Sequence, residues 1–334
     1  MKEPGVDVAV LLMFFCRPQP FAQVFEQVRI ARPSRLYLHQ DGPRPDSETD
    51  WEGILECREI ASQVDWDCEV HRLYRAENIG CGPAQYLAER WMFQHEETGI
   101  VLEDDVVPSQ SFFPFCAELL MRYRDDSRID RICGMNNLGT WGPADSSYFF
   151  AATGSIVGWA SWSRVVGTWD SSYEWLDDAR ALRLAGEFSK NRHGYRAAVK
   201  KAVERRSSGQ AFHETAGGFA QLLNSRLMIV PRENMISLGI SAESSHAPDD
   251  LRMLPTRSRR LFEMRRHEIE FPLKHPQYVQ REEAYERLIA TTPLQEALGR
   301  IESVLRAVLY GGPSELMRRY SRRQTRRRDA RWAK

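Results

Sequence analysis

The chain has 334 residues, 42% hydrophobic and 28% charged, with 46 basic and 46 acidic side chains. That composition is ordinary for a soluble globular protein, large enough to bury a core in one large domain or two smaller ones. No apolar run approaches the ~20 residues that cross a bilayer. The six cysteines include no Cys-x-x-Cys pair. That argues against structural zinc and a disulfide framework and for reduced, mostly buried thiols.

Strand and helix patterns alternate through the first half. Val6 to Phe15 reads as a first strand, since Glu3, Asp7 and the lack of a small-residue cleavage site do not suit a signal peptide. Phe21, Val24, Phe25 and Val28 recur at helical spacing, and Arg32-Pro33 ends that helix. Arg35 to His39 is strand-like and stops at Asp41-Gly42-Pro43. Trp51 to Val64 has a helical pattern, and Cys68 to Tyr74 a strand pattern. Ala84, Leu87, Ala88 and Trp91 mark a helix after Gly80-Cys81-Gly82-Pro83. Ile100 to Leu102 reads as a short buried strand, followed by an amphipathic helix carrying Phe112, Phe115, Cys116, Leu119, Leu120 and Tyr123. Four successive βα units predict an α/β fold, a mostly parallel central sheet with helices on both faces.

The second half is less regular. Residues 128–154 hold two strand-like runs, Gly154 to Trp162 is rich in Gly and Trp, and Leu227 to Pro231 reads as another strand. Residues 247–275 are polar and poorly periodic, as a surface-wrapping or mobile segment would be. Thr292-Pro293-Leu294-Gln295 is a capping box with Pro at the first helical position. The following stripe of Leu294, Leu298, Ile301, Leu305 and Val308 predicts a helix docked on the protein's own core. Residues 313–334 hold nine Arg or Lys against two acids, leaving the rest of the chain with an excess of acid. This Arg-rich tail suits a disordered end or contact with an anionic surface.

The chemistry concentrates at Gly99-Ile100-Val101-Leu102-Glu103-Asp104-Asp105. An apolar strand cannot carry three carboxylates into the interior, because unpaired buried charge costs several kcal/mol or more. The run must therefore emerge at the carboxyl edge of the sheet, where α/β proteins bind ligands. Massed carboxylates repel one another unless a cation sits among them, and oxygen ligands suit Mg²⁺ or Mn²⁺. The plainer alternative is an acidic turn capping the next helix through Ser109 or Ser111.

The order of motifs adds to this. Phe15-Cys16-Arg17-Pro18 follows strand one and Asp41-Gly42-Pro43-Arg44 follows strand two. Asn78-Ile79-Gly80-Cys81 follows strand three, and Glu103-Asp104-Asp105 follows strand four. This resembles the GT-A class of nucleotide-sugar glycosyltransferases. It looks closest to bacterial haemolytic-protein-like or family-2-like members and is more distantly similar to the N-acetylglucosaminyltransferase I type. The resemblance covers about residues 6–275. It implies a catalytic domain over residues 1–250, with a nucleotide-sugar half (1–107) and an acceptor half (108–250). Residues 251–312 then form a wrapping segment and amphipathic helix.

By the same resemblance, Asp105 binds Mn²⁺ or Mg²⁺ and His246 completes the metal site. Asp104 lies near the ribose or the metal's waters, and Glu103 near the donor sugar. Asp41 would accept hydrogen bonds from base or ribose. Arg17 and Arg75 would reach nucleotide or phosphate, and Asn78 and Gly80 open a helix start toward an anion. Trp159, in the Gly/Trp-rich segment, would stack on the donor sugar. The general base falls on Glu214, with His213, Asp170, Asp177 and Asp178 as other candidates. Ala216-Gly217-Gly218 after it departs from the family's usual aromatics. The expected activity is metal-dependent, inverting sugar transfer from a nucleotide sugar, UDP-linked in kind, to a saccharide or glycolipid. The alternatives are a nucleotidyltransferase and a sugar- or nucleotide-binding module. No specific nucleic acid is implied, and the expected location is cytoplasmic, peripheral to the inner membrane face.

Overall fold

The computed structural model describes residues 2–239 and 250–311. Val6–Phe14 (β1) is buried over its last seven residues, as a central strand must be. Pro18–Ala31 (α1) starts on Pro in its first turn and ends at Arg32 in the left-handed region, just before Pro33. Pro33–Gln40 (β2), Asp50–Ala61 (α2), Glu69–Tyr74 (β3), Cys81–His95 (α3) and Thr98–Glu103 (β4) continue the βα alternation. Then come Val106–Pro108 (β5), Phe112–Arg122 (α4), Ile129–Cys133 (β6), Tyr148–Ala151 (β7), Trp159–Trp162 (β8) and Ser163–Val166 (α5). Ala179–Ser189 (α6), Arg192–Ser208 (α7), His213–Leu223 (α8), Leu227–Pro231 (β9) and Ile236–Leu238 (β10) follow, and later Thr256–Phe262 (α9) and Glu283–Ile289 (α10).

The main sheet has eight strands in the order β3-β2-β1-β4-β8-β6-β9-β7. β3, β2, β1 and β4 run parallel, β8 is inserted antiparallel between β4 and β6, and β7 is antiparallel at the edge. Alternate residues of β1 serve two layers. Ala9, Leu11 and Met13 pack with Ala88, Met92 and Phe93 of α3 and Ala216 and Ala220 of α8. Phe14, on the opposite face, stacks on Phe21 of α1 at 4.2 Å. The α/β class, the mostly parallel sheet and the helices on both faces are as expected from the βα alternation. The reversed β8 is not legible in the sequence, because four residues of Trp159-Ala160-Ser161-Trp162 carry no direction of their own.

The chain divides into two units, residues 1–239 with 264–290, and residues 240–263 with 291–334. The boundary expected at 250 therefore differs, since 264–290 packs on the sheet unit. His267 N–H donates to Asn234 O at 2.7 Å. The Glu268 carboxylate accepts from the backbone N–H groups of Gln110 (3.1 Å) and Ser111 (2.7 Å) ahead of α4, while the Ser111 side chain, on the alternative reading a cap, makes no cap hydrogen bond. Tyr285 is fully buried against Trp141 and Phe149, and Ala152 N–H donates to Glu286 at 2.6 Å.

In the second unit the capping box forms as written. Thr292 N–H donates to Gln295 Oε1 at 2.9 Å, and Gln295 N–H to Thr292 Oγ1 at 3.2 Å. Residues 293–311 are helical. Glu302 ties this helix to α9 through Thr256 N–H (3.0 Å) and Thr256 Oγ1 (2.6 Å). Leu294, Leu298, Ile301, Leu305 and Val308 are all exposed, so the core docking expected of that stripe is not formed among the described residues. The Arg-rich tail lies outside the described residues. Among the described residues, no helix is long and apolar enough to cross a membrane. Cys16, Cys57, Cys116 and Cys133 are buried as expected, whereas Cys81 is exposed at the start of α3.

Candidate functional site

β1 sits between β2 on one side and β4 on the other, so the connections diverge at its carboxyl end, the place where open α/β sheets bind ligands. The residues leaving β1 and β4 meet there. Arg17 donates from Nε to Asp104 Oδ2 at 3.3 Å, from Nη2 to Asp104 Oδ1, and from Nη1 to Asp105 Oδ2 at 3.1 Å. Phe15 N–H also donates to Asp104 at 3.3 Å. Burial pushes the Asp104 carboxyl up to about 6, against the pull of the Arg17 guanidinium. Burial, reinforced by the Asp105 charge, pushes Glu103 up to about 7, and Gln85 donates to it at 2.7 Å. The three acids thus emerge where the sequence placed them, and Arg17 bridges two of them instead of extending toward solvent. Asp105 keeps the more open position, its side chain 22% exposed against 5% for Asp104. Gly239 N–H donates to the Asp105 carbonyl at 2.6 Å, which fixes the end of the β5–β10 pair beside it. His246 lies outside the described residues.

Asp41 is a loop organiser. One or both of its oxygens accept from Gly42 (3.0 Å), Ile79 (3.2 Å) and Gly80 (3.1 Å) backbone N–H groups. Burial nonetheless raises its pKa. Asn78 closes the same turn, donating to Gly42 O at 2.8 Å and accepting from Gly80 N–H at 3.1 Å. Gly80 has φ +87°, which a side chain would resist, and from it α3 begins. Arg75 Nε lies 3.8 Å from Asp41 Oδ1. These four expected ligand contacts therefore first of all build the loop that α3 starts from, using the amides and oxygens assigned to nucleotide.

A second polar group lies across α3. Gln85 and Glu89, one turn apart, face the acidic strand end and α8 respectively. Glu89 accepts from His213 Nδ1 at 2.8 Å with both side chains buried, and its Oε2 has no partner among the described residues. Burial alone would lower the His213 pKa, but Glu89 raises it. Phe212 reaches α3 only because position 82 is glycine, since a Cβ there would lie 2.1 Å from the Phe212 ring. The adjoining Glu214 Oε2 accepts from Lys201 at 3.0 Å and Arg205 at 2.7 Å. Burial would raise Glu214, yet these two cations hold it down at about 2. Sequence reading missed Glu89, Gln85, Lys201 and Arg205. The one signal for Glu89 was an acid next to Ala88 on the apolar stripe of a helix.

Trp159 is corrected. It is 2% exposed, with Phe93 stacked at 6.1 Å and the Arg131 guanidinium over the ring at 5.1 Å, so the ring is enclosed in the core and not open to a sugar. Its place in β8, paired with Val101, turns it into the core. The other base candidates hold local structure. Asp170 accepts from Ser172 and Glu174 N–H groups, Asp177 pairs with Arg206 at 2.7 Å, and Asp178 caps α6.

Among the described residues no three His, Cys, Asp or Glu side chains form a metal-binding group. A hard divalent cation is nevertheless commonly held by one or two carboxylates and completed by substrate phosphates. Asp105 and Asp104 fit that minimal donor set, provided Arg17 shares them. No family model matches the chain, and no curated protein matches it. Among solved structures, UDP-glucose pyrophosphorylase complexed with UDP-glucose superposes with a TM-score of 0.35 at 7% identity, covering 68% of this chain and 91% of that one. Apo UDP-glucose pyrophosphorylase gives 0.33 at 7% identity, covering 68% and 92%. A likeness of this size carries no argument about the site.

Proposed function

We propose that the chain is a glycosyltransferase that moves a sugar from a nucleoside diphosphate sugar, UDP-linked, to a hydroxyl of a saccharide or glycolipid. One observation carries this reading: Arg17 lies against the Asp104 and Asp105 carboxylates, with Glu103 next to them in the chain, at the carboxyl edge where the sheet's connections diverge. The acceptor oxygen bonds to the anomeric carbon as the bond to the diphosphate breaks, with inversion. Glu214 receives the acceptor proton. Mn²⁺ or Mg²⁺ held on Asp105, with Asp104, would neutralise charge on the departing diphosphate. Arg17 adds a fixed positive charge from the same edge.

The test is release of UDP from UDP-sugars with manganese present. Asp105→Ala should lower the rate by at least about a hundredfold, the usual scale for one electrostatic contact to a developing charge. Glu214→Gln should lose about 10²- to 10⁴-fold in transfer. Full turnover in Asp105→Ala would sink the reading. Pyrophosphate as the product would establish the nucleotidyltransferase alternative, and binding without release would establish the module.

A further inference from the structure

Beside Glu214 a cavity of about 310 Å³ opens between α7 and α8. One stripe of α7 lines it, with Tyr195, Ala198, Lys201 and Arg205 spaced three or four residues apart. Its space comes from small side chains, above all Gly218 of α8, where a Cβ would meet nothing within 4 Å. Tyr195 and Phe219 form one wall, their ring centres 6.0 Å apart. Both rings are fixed, Tyr195 by donating to Leu182 O at 2.6 Å and Phe219 by stacking on Trp175 at 3.9 Å.

The polar end is unbalanced. Lys201 and Arg205 converge on a single oxygen of Glu214, and Glu214 is the one acid among the described residues lining the cavity. Arg205 is only 11% exposed and packs on the Phe212 ring at 4.0 Å, so its charge is held in place. Two cations against one carboxylate leave a net positive charge at this end, which favours an anion, and rigid aromatic walls suit the C–H face of a sugar.

We propose that this cavity is the acceptor pocket and that it selects a saccharide residue bearing a carboxylate or phosphate. The anionic group takes Lys201 and Arg205, and Glu214 is thereby released to receive the acceptor proton. The assignment rests on the glycosyl-transfer reading, but the binding it predicts needs neither donor nor metal.

The experiment is calorimetric titration of the full chain with glucuronate, glucose 6-phosphate and glucose. At least one anionic sugar should bind saturably, and glucose at least tenfold more weakly. The tighter of the two anions identifies the group. Lys201→Gln should weaken anion binding about tenfold. Gly218→Leu, which fills the cavity, should abolish it without lowering the unfolding midpoint, and Ala198→Leu serves if that variant fails to fold. Equal binding of glucose, no saturable binding of either anion, or anion binding that survives the filled cavity overturns the proposal. A parallel UDP titration separates the two readings. Anion binding without UDP binding removes the transferase and keeps the pocket, and the reverse removes the pocket alone.

Discussion

Arg17 changes the meaning of the acidic strand end. Three carboxylates within one turn would be strongly self-repelling, and the guanidinium that follows β1 lies against two of them. An arginine here offsets the repulsion at the sheet edge and, on the proposed reading, presents a fixed positive charge to the diphosphate. The Glu89–His213 pair is the second residue-level feature. Both groups are buried, and a buried pair that loses one partner commonly costs 3–5 kcal/mol. Because Glu89 raises the folded pKa of His213 above the ordinary value near 6.5, the protonated pair stabilises fully below about pH 6.5 and that contribution is lost as pH rises through the folded pKa. Glu89→Gln should therefore destabilise by about 3 kcal/mol near pH 6 in urea unfolding, and by less at alkaline pH. A penalty that grows with pH would show that the pair is not an imidazolium–carboxylate contact.

At the level of elements, the seam between α3 and α8 positions the groups that the proposed reaction uses. α3 delivers Gln85 to Glu103 and Glu89 to His213, while α8 opens with His213 and Glu214 in its first turn. Gly82 sets how closely the two helices approach. In an isolated helix Gly→Ala gains up to about 1 kcal/mol. Here the added methyl would overlap Phe212, and overpacking of this kind costs about 1–3 kcal/mol, so the clash outweighs the propensity. Gly82→Ala should thus lower the urea midpoint and reduce UDP release together, through displacement of the Phe212–Glu214 segment. A more stable Gly82→Ala protein would place the seam elsewhere.

For the whole molecule, charge is unevenly distributed along the sequence. The tail over residues 313–334 has nine basic side chains and two acids, while the remainder is net acidic. Each basic residue near an anionic bilayer contributes about 1 kcal/mol and is screened by salt. Removing residues 313–334 should abolish sedimentation with phosphatidylglycerol vesicles at low salt and leave sugar-probe binding intact. Unchanged sedimentation would exclude the tail as a membrane contact and would leave the acceptor's location unconstrained.

The sequence by itself determined the βα repeats, the central burial of β1, the capping box at Thr292 and the emergence of Glu103-Asp104-Asp105 at a sheet edge. Each of these follows from local periodicity, local turn chemistry or the cost of burying charge, all of which act within a few residues. Only the tertiary structure decided that β8 runs antiparallel and takes Trp159 into the core, that 264–290 returns to cap α4 and bury Tyr285, that Asp41 and Asn78 tie their own loops, and that Glu214 is clamped by two cations of α7. These depend on groups brought together from distant positions, where residue type says what a side chain is able to bind and packing says what stands next to it.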